Sequence, residues 1–96
     1  PRFPAVERDL SIVVDEPVRW ADIEAAVHEK AAGELEDLRF VEIYRGKGVT
    51  SGRKSVTLSL RFRDDDGTLT HETVDGFQDA IVQSLSESVS AELRSV

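Results

Sequence analysis

The alternation of apolar and polar residues over positions 55–62 constrains the fold more than any other feature of this sequence. Its apolar members are Val56, Leu58, Leu60 and Phe62, separated by threonine, serine and arginine. A period of two residues is typical of a β-strand with one buried face, because successive side chains point to opposite sides of a sheet. The pattern predicts a strand that forms a hairpin with the segment before it.

Five further segments have the periodicity of regular secondary structure. Alternation marks strands, whereas apolar residues three or four positions apart mark helices. Pro17 ends the first strand, and Gly33 is a natural stop for the first helix. The predicted spans are about residues 9–14, 38–45 and 89–93 for strands, and about residues 20–32 and 70–85 for helices. Thr68 or Thr70 is available to cap the second helix.

The order β-α-β-β-α-β predicts an α+β, ferredoxin-like fold, in which a four-stranded antiparallel sheet carries two helices on one face. Residues 1–96 are expected to form a single domain without an internal linker. Alternation predicts helix-facing side chains at Leu10, Ile12, Val41, Ile43, Val56, Leu58 and Leu60. The face without helices is predicted to carry Asp9, Ser11, Glu42, Tyr44, Ser55, Thr57 and Ser59, and alternation within its own strand makes Phe40 point the same way as Glu42 and Tyr44.

Basic residues are concentrated in the predicted hairpin. Residues 38–63 contain seven Lys or Arg and one acid, whereas the rest of the chain contains five bases and eighteen acids. An acidic body with one basic segment suggests a surface that meets a polyanion at a single place.

The composition excludes several kinds of site. Without cysteine, disulfides, thiolate metal sites and thiol nucleophiles are excluded, which fits a reducing compartment. With 40% apolar and 32% charged residues, the chain is expected to be soluble and globular, and its apolar runs are too short to cross a membrane. His28 and His71 have no partners at ligand spacing, so no metal site is expected. The start within Pro-Arg-Phe-Pro suggests a fragment of a longer chain.

Several segments together resemble a known family. They are Phe3-Pro4-Ala5-Val6-Glu7-Arg8-Asp9-Leu10-Ser11, Ile43-Tyr44-Arg45-Gly46-Lys47-Gly48, Gly52-Arg53-Lys54-Ser55, Thr68-Leu69-Thr70-His71-Glu72 and Ala91-Glu92-Leu93-Arg94. In this order they are similar to the ferredoxin-fold anticodon-binding domain, which closes the β subunit of bacterial phenylalanyl-tRNA synthetase. Two positions depart from the family pattern: Val41-Glu42 replaces the usual Phe-Asp, and Arg53 stands where an aromatic residue is common.

The resemblance implies an RNA-binding module without a catalytic role of its own. Such a domain holds the anticodon loop of phenylalanine tRNA on its open sheet, while the ATP- and Mg²⁺-dependent aminoacylation takes place in the α subunit. The implied partners are phenylalanine tRNA, the rest of the β subunit and the α subunit of a heterotetramer. The implied location is the cytoplasm, with no cofactor in this domain.

Eight residues are predicted to contact RNA. Tyr44 is expected to stack on a base, and Glu42 to accept hydrogen bonds from a base edge. The other six supply hydroxyls or phosphate-binding charges, namely Ser11, Ser55, Arg45, Lys47, Arg53 and Lys54.

Two other functional classes share this topology. A small-molecule regulatory domain would bind its ligand at a sheet edge and would have no affinity for RNA. An acylphosphatase-like hydrolase would need an arginine and an asparagine, and this chain contains no asparagine. The residues also allow simpler roles, in which Tyr44 only covers the sheet and the basic loop is an ordinary solvated loop.

Overall fold

A computed structural model describes residues 3–94 of the chain. The elements are the strands β1 (Val6–Asp15), β2 (Leu35–Tyr44), β3 (Arg53–Phe62) and β4 (Glu92–Leu93), and the helices α1 (Trp20–Lys30) and α2 (His71–Val89). Their order along the chain is β-α-β-β-α-β. The predicted ferredoxin-like fold class is therefore confirmed.

The four strands form one antiparallel sheet in the order β2-β3-β1-β4. The two central strands, β1 and β3, pair along their full length from Val6 opposite Phe62 to Asp15 opposite Arg53. The outer strands are β2, which pairs with β3, and the two-residue β4, which pairs with β1. Both central strands therefore have neighbours on either side, and any site on the sheet is built on their rigid frame.

The hydrophobic core lies between the sheet and the two helices. It combines alternate residues of β1 and β3 with one stripe from each helix, as the two periodicities require. A buried hydrogen bond of 2.6 Å from the Ser84 hydroxyl to the Ala26 carbonyl joins α2 to α1. The main buried side chains are Leu10, Ile12, Val14, Ile23, Ala26, Val27, Val56, Leu58, Leu60, Phe62, Val74, Ile81 and Leu85.

One predicted helix cap is confirmed, and two helix ends differ from the prediction. Thr70 is the cap of α2, because its hydroxyl accepts from the Thr73 amide at 3.1 Å. This helix continues to Val89 and ends at Ser90 in the left-handed conformation, φ 54°, so the predicted last strand over 89–93 shrinks to two residues. The first helix ends at Lys30, two residues before the predicted end.

A β-bulge in β2 corrects the predicted face of Phe40. Phe40 lies opposite the buried Leu58, whereas Glu42 lies opposite Thr57, so one extra residue, Val41, stands in β2 between the two pairs. The extra residue reverses the alternation, and the Phe40 ring contacts the ring of Trp20 on α1 with centroids 5.4 Å apart. Phe40 is thus on the helix side, and the prediction that it shares a face with Glu42 and Tyr44 is wrong.

The outer part of β2 also departs from the expected core. Val41 and Ile43 remain exposed on this edge strand: Ile43 keeps its predicted helix-side register opposite the buried Val56, whereas Val41 is the extra residue of the bulge. Across residues 3–94, no helix is both long enough and apolar enough to span a bilayer.

Candidate nucleic-acid interface

The face of the sheet without helices carries a row of polar side chains across three strands. Glu42 of β2 lies opposite Thr57 of β3, which lies opposite Ser11 of β1. The Ser11 and Thr57 hydroxyl oxygens are 2.7 Å apart, so one donates to the other. The predicted hydroxyl-bearing face exists, but two of its hydroxyls already use part of their hydrogen-bonding capacity on each other.

Tyr44 lies on this face next to that row, as the alternation predicted. It pairs with Ser55 in the strand register, and it retains 38% of its surface exposed. Its hydroxyl donates to the Lys47 carbonyl at 2.8 Å. The guanidinium carbon of Arg94 lies 4.9 Å from the ring centroid, in cation–π contact. The ring is therefore held at its polar end and beneath a cation, while part of its surface stays accessible.

Arg94 was missing from the predicted interface. Its amide donates to the Ser11 carbonyl at 2.8 Å, which places this residue just after β4 and beside β1. From there the side chain reaches Tyr44, which belongs to the opposite edge strand. The sequence shows only a basic residue near the chain end, and nothing local signals a contact with a residue fifty positions earlier.

Glu42 stands beside the bulge with a free carboxylate. The described part of the chain contains no hydrogen bond or ion pair to this side chain, and Arg61 on the neighbouring strand binds other acids. A carboxylate that is exposed and unpaired can accept hydrogen bonds from a ligand without first leaving a protein partner.

Lys47 lies in the loop between β2 and β3 with its ammonium group unpartnered among residues 3–94. Gly46, Gly48 and Gly52 in this loop have positive φ angles of 128°, 90° and 87°. At Gly46 a Cβ atom would lie 3.4 Å from the Tyr44 hydroxyl oxygen. Glycine at this position therefore allows both the backbone turn and the close approach of the ring.

Arg45 is exposed but already paired. Its Nε and Nη2 groups both donate to the Glu16 carboxylate, the second over 3.0 Å. The hydrogen bonds and charge of Arg45 lower the pKa of Glu16, and the same contact raises the pKa of Arg45. With 58% of the Arg45 side chain exposed, an RNA phosphate could share the guanidinium only in competition with this carboxylate.

Arg53 ties three strands together. Its guanidinium lies 3.1 Å from Asp15 and 3.3 Å from Glu92, and it donates to the carbonyls of Val13 at 3.3 Å and Ser90 at 3.2 Å. Only 21% of the side chain is exposed. The Arg53 guanidinium is thus held at the end of the sheet by partners on β1 and by partners on and just before β4.

Lys54 and Ser55 lie below the surface. Lys54 pairs with the buried Val14, so it is on the helix side of the sheet, and its ammonium donates to the Glu16 carbonyl at 2.9 Å. Ser55 shares a face with Tyr44 but is only 1% exposed. The strand pattern contained the signal for Lys54, because a residue two positions before Val56 must share its face.

Two further basic side chains of the hairpin, Arg61 and Arg63, also form ion pairs with acidic residues. Arg61 lies 3.1 Å from Glu36, 3.3 Å from Asp37 and 3.8 Å from Glu7, and a second arginine, Arg63, lies 2.9 Å from Glu36. The basic segment seen in the sequence is therefore mostly a set of ion pairs with acids from other strands. Within residues 3–94, no group of three or more His, Asp or Glu side chains is arranged to hold a metal ion.

Comparison with known proteins identifies the family to which this chain is similar. The family model of the ferredoxin-fold anticodon binding domain matches residues 1–94. The chain is 38% identical over 94 residues to the phenylalanine–tRNA ligase beta subunit of Clostridium acetobutylicum, covering 98% of the chain and 12% of that protein. It is 41% identical over 93 residues to the subunit of the same name from Streptomyces avermitilis, covering 97% and 11%.

A third relative, the phenylalanine–tRNA ligase beta subunit of Corynebacterium jeikeium, is 40% identical over 92 residues. These residues are 96% of the chain and 11% of the relative, so the chain spans about an eighth or less of the curated relatives it matches. The resemblance inferred from the sequence segments is confirmed. The chain belongs to the ferredoxin-fold anticodon binding domain family.

Proposed function

We propose that this domain binds the anticodon loop of phenylalanine tRNA on the open face of its sheet, as a non-catalytic part of a phenylalanine–tRNA ligase β subunit. The observation that carries the proposal is the position of a partly exposed ring, Tyr44, beside the unpaired carboxylate of Glu42. Family membership and the names of the relatives support the choice of RNA.

Base stacking is the first contact in this proposal. Single-stranded RNA is bound by unstacked bases that lie on aromatic rings, and each such contact contributes about 1–3 kcal/mol. The accessible part of the Tyr44 ring offers that surface. The Arg94 guanidinium lies over the ring, so a base that stacks on the same face must displace it.

Base recognition follows from the neighbouring row. The Glu42 carboxylate accepts hydrogen bonds only, so it selects a base edge that presents amino or imino donors. Thr57 and Ser11 both donate and accept, and they lie one strand and two strands away from Glu42, respectively. A splayed base above this row meets an acceptor at one end and hydroxyls at the other.

In this proposal, the phosphates are bound by basic side chains that have no carboxylate partner. Lys47 and Arg39 have no carboxylate partner among the described residues, whereas Arg45 must exchange Glu16 for a phosphate. The remaining predicted contacts, Arg53, Lys54 and Ser55, serve the frame of the sheet in this proposal because of their burial and existing hydrogen bonds.

The domain's role in the complete ligase is to position the tRNA. Aminoacylation with ATP and Mg²⁺ is assigned to the cytoplasmic α₂β₂ ligase as a whole, with no residue of this domain holding either. The net charge of −7 opposes nonspecific attraction of RNA, so tethering to the rest of the ligase would supply the effective concentration.

Titration of a labelled anticodon stem-loop at two salt concentrations tests the proposal. Tyr44→Ala should weaken binding at both, with an unchanged far-ultraviolet spectrum. Phe3→Ala is a matched control, because Phe3 is 39% exposed but lies in the segment before β1. Equal binding by wild type and Tyr44→Ala would remove the ring from the interface. No binding by the wild type, even within the complete ligase, would favour the small-molecule regulatory class.

A further inference from the structure

We propose that the hydroxyl of Tyr44 is a positioning group for Lys47, so that the ring surface and the phosphate-binding lysine are set by one hydrogen bond. The inference deepens the proposed function, on which its RNA-binding consequences rest. It assigns two separate tasks to one residue: the ring stacks, and the hydroxyl orders the loop.

The hydrogen bond joins the sheet to the middle of the loop. The Tyr44 hydroxyl donates to the Lys47 carbonyl at 2.8 Å, and within the loop the Val49 amide donates to the Gly46 carbonyl at 3.0 Å. The ring itself is fixed by its strand and by Arg94. The carbonyl of Lys47 is thereby attached to a rigid part of the molecule.

Few other contacts hold this part of the loop. Gly46 and Gly48 both have positive φ, and glycine gives the unrestrained backbone more conformations than any other residue. The ammonium group of Lys47 has no partner in the described part of the chain, so only the backbone sets its location. Loss of the hydroxyl should therefore increase the number of positions that Lys47 occupies.

Arg94 completes the arrangement from the other side. Its guanidinium lies over the Tyr44 ring, and a Cβ atom at Gly48 would lie 3.7 Å from its Nη2. The guanidinium thus lies over the ring and near the loop at Gly48. Tyr44→Phe keeps the ring and its contact with Arg94 but removes the bond to Lys47, so it isolates the hydroxyl.

Trypsin cleavage under native conditions tests the positioning role without RNA. Cleavage after Lys47 requires local opening of the loop, and Tyr44→Phe should accelerate it about two- to tenfold, the range expected for loss of one hydrogen bond. Cleavage after Lys30, at the end of α1, serves as the internal reference and should not change. Equal rates after Lys47 in both proteins would overturn the inference.

RNA affinity tests the coupling through a double-mutant cycle. Tyr44→Phe and Lys47→Ala should each weaken binding of the anticodon stem-loop and lower its salt dependence, with an unchanged preference for the cognate anticodon. The double variant should bind no more weakly than Lys47→Ala, since the hydroxyl acts through the lysine. Fully additive losses would mean that the hydroxyl contacts RNA directly and would overturn the coupling.

The control is Thr73→Val, which removes an exposed hydroxyl on α2 while keeping the side-chain shape. It should leave both the cleavage rate after Lys47 and the affinity unchanged. If no protein in the series binds the stem-loop, even within the complete ligase, the proposed function fails, whereas the trypsin comparison still decides whether Tyr44 positions Lys47.

Discussion

Arg53 is expected to stabilise the sheet instead of binding phosphate, and Arg53→Met tests this. Methionine retains most of the stem but removes the guanidinium. Two hydrogen bonds to main-chain carbonyls are lost, at Val13 and Ser90, each contributing about 1 kcal/mol. The two ion pairs, with mostly exposed carboxylates on Asp15 and Glu92, add about 0–1 kcal/mol together. We therefore expect the free energy of unfolding to fall by about 2–3 kcal/mol.

Urea denaturation measures this loss, and the melting temperature should fall by about 10–20 °C for a domain of this size. Arg45→Met is the matched control, because it removes an exposed guanidinium with one carboxylate partner, and it should change stability much less. Two results together would refute the reasoning: a fall of less than about 0.5 kcal/mol in the free energy of unfolding of Arg53→Met, and a weaker salt dependence of its RNA binding. They would mean that Arg53 contacts phosphate instead of stabilising the sheet.

Three further predictions concern the interface and its surroundings. Glu42→Gln should reduce discrimination against a changed anticodon base by about 1–3 kcal/mol, measured as a ratio of affinities, without lowering the melting temperature. Arg45 lowers the pKa of Glu16 below its ordinary value of 4.5, so this pair should stabilise the fold above pH 4.5. The stabilisation should be lost as the pH falls through the pKa of Glu16 in the folded state. The stability difference between wild type and Glu16→Gln, measured by urea denaturation at several pH values, should therefore vanish in acid. Gly46→Ala should cost about 1 kcal/mol or more in urea denaturation, because alanine at φ 128° is strained.

The ion pairs explain how a basic segment can exist in an acidic protein without becoming a general polyanion-binding surface. Arg45, Arg53 and Arg61 each contact a carboxylate from another strand or from a strand end. Among the described residues, few basic side chains of the hairpin lack a carboxylate partner, and Lys47 is one of them. In the proposed function, selective RNA binding would then depend on the small region around Tyr44 and not on the total charge of the hairpin.

Local periodicity determined the architecture of this protein. Alternation over 55–62 predicted β3 and its buried side chains, helical spacing predicted the apolar stripes of α1 and α2, and the order of the elements placed both helices on one side of the sheet. It also placed Tyr44 and Glu42 on the open face. These features depend on which side of an element a residue occupies, and that side follows from the repeat of the backbone itself.

The tertiary structure decided which charges are free and how the aromatic ring is held. The bulge at Val41 reversed the face of Phe40, because the pairing of β2 with β3 admits an extra residue that no periodicity reveals. The contacts of Arg94 with Tyr44 and of Arg53 with Glu92 join residues far apart in sequence. Such contacts depend on strand order and register, so they become defined only when the whole sheet has formed.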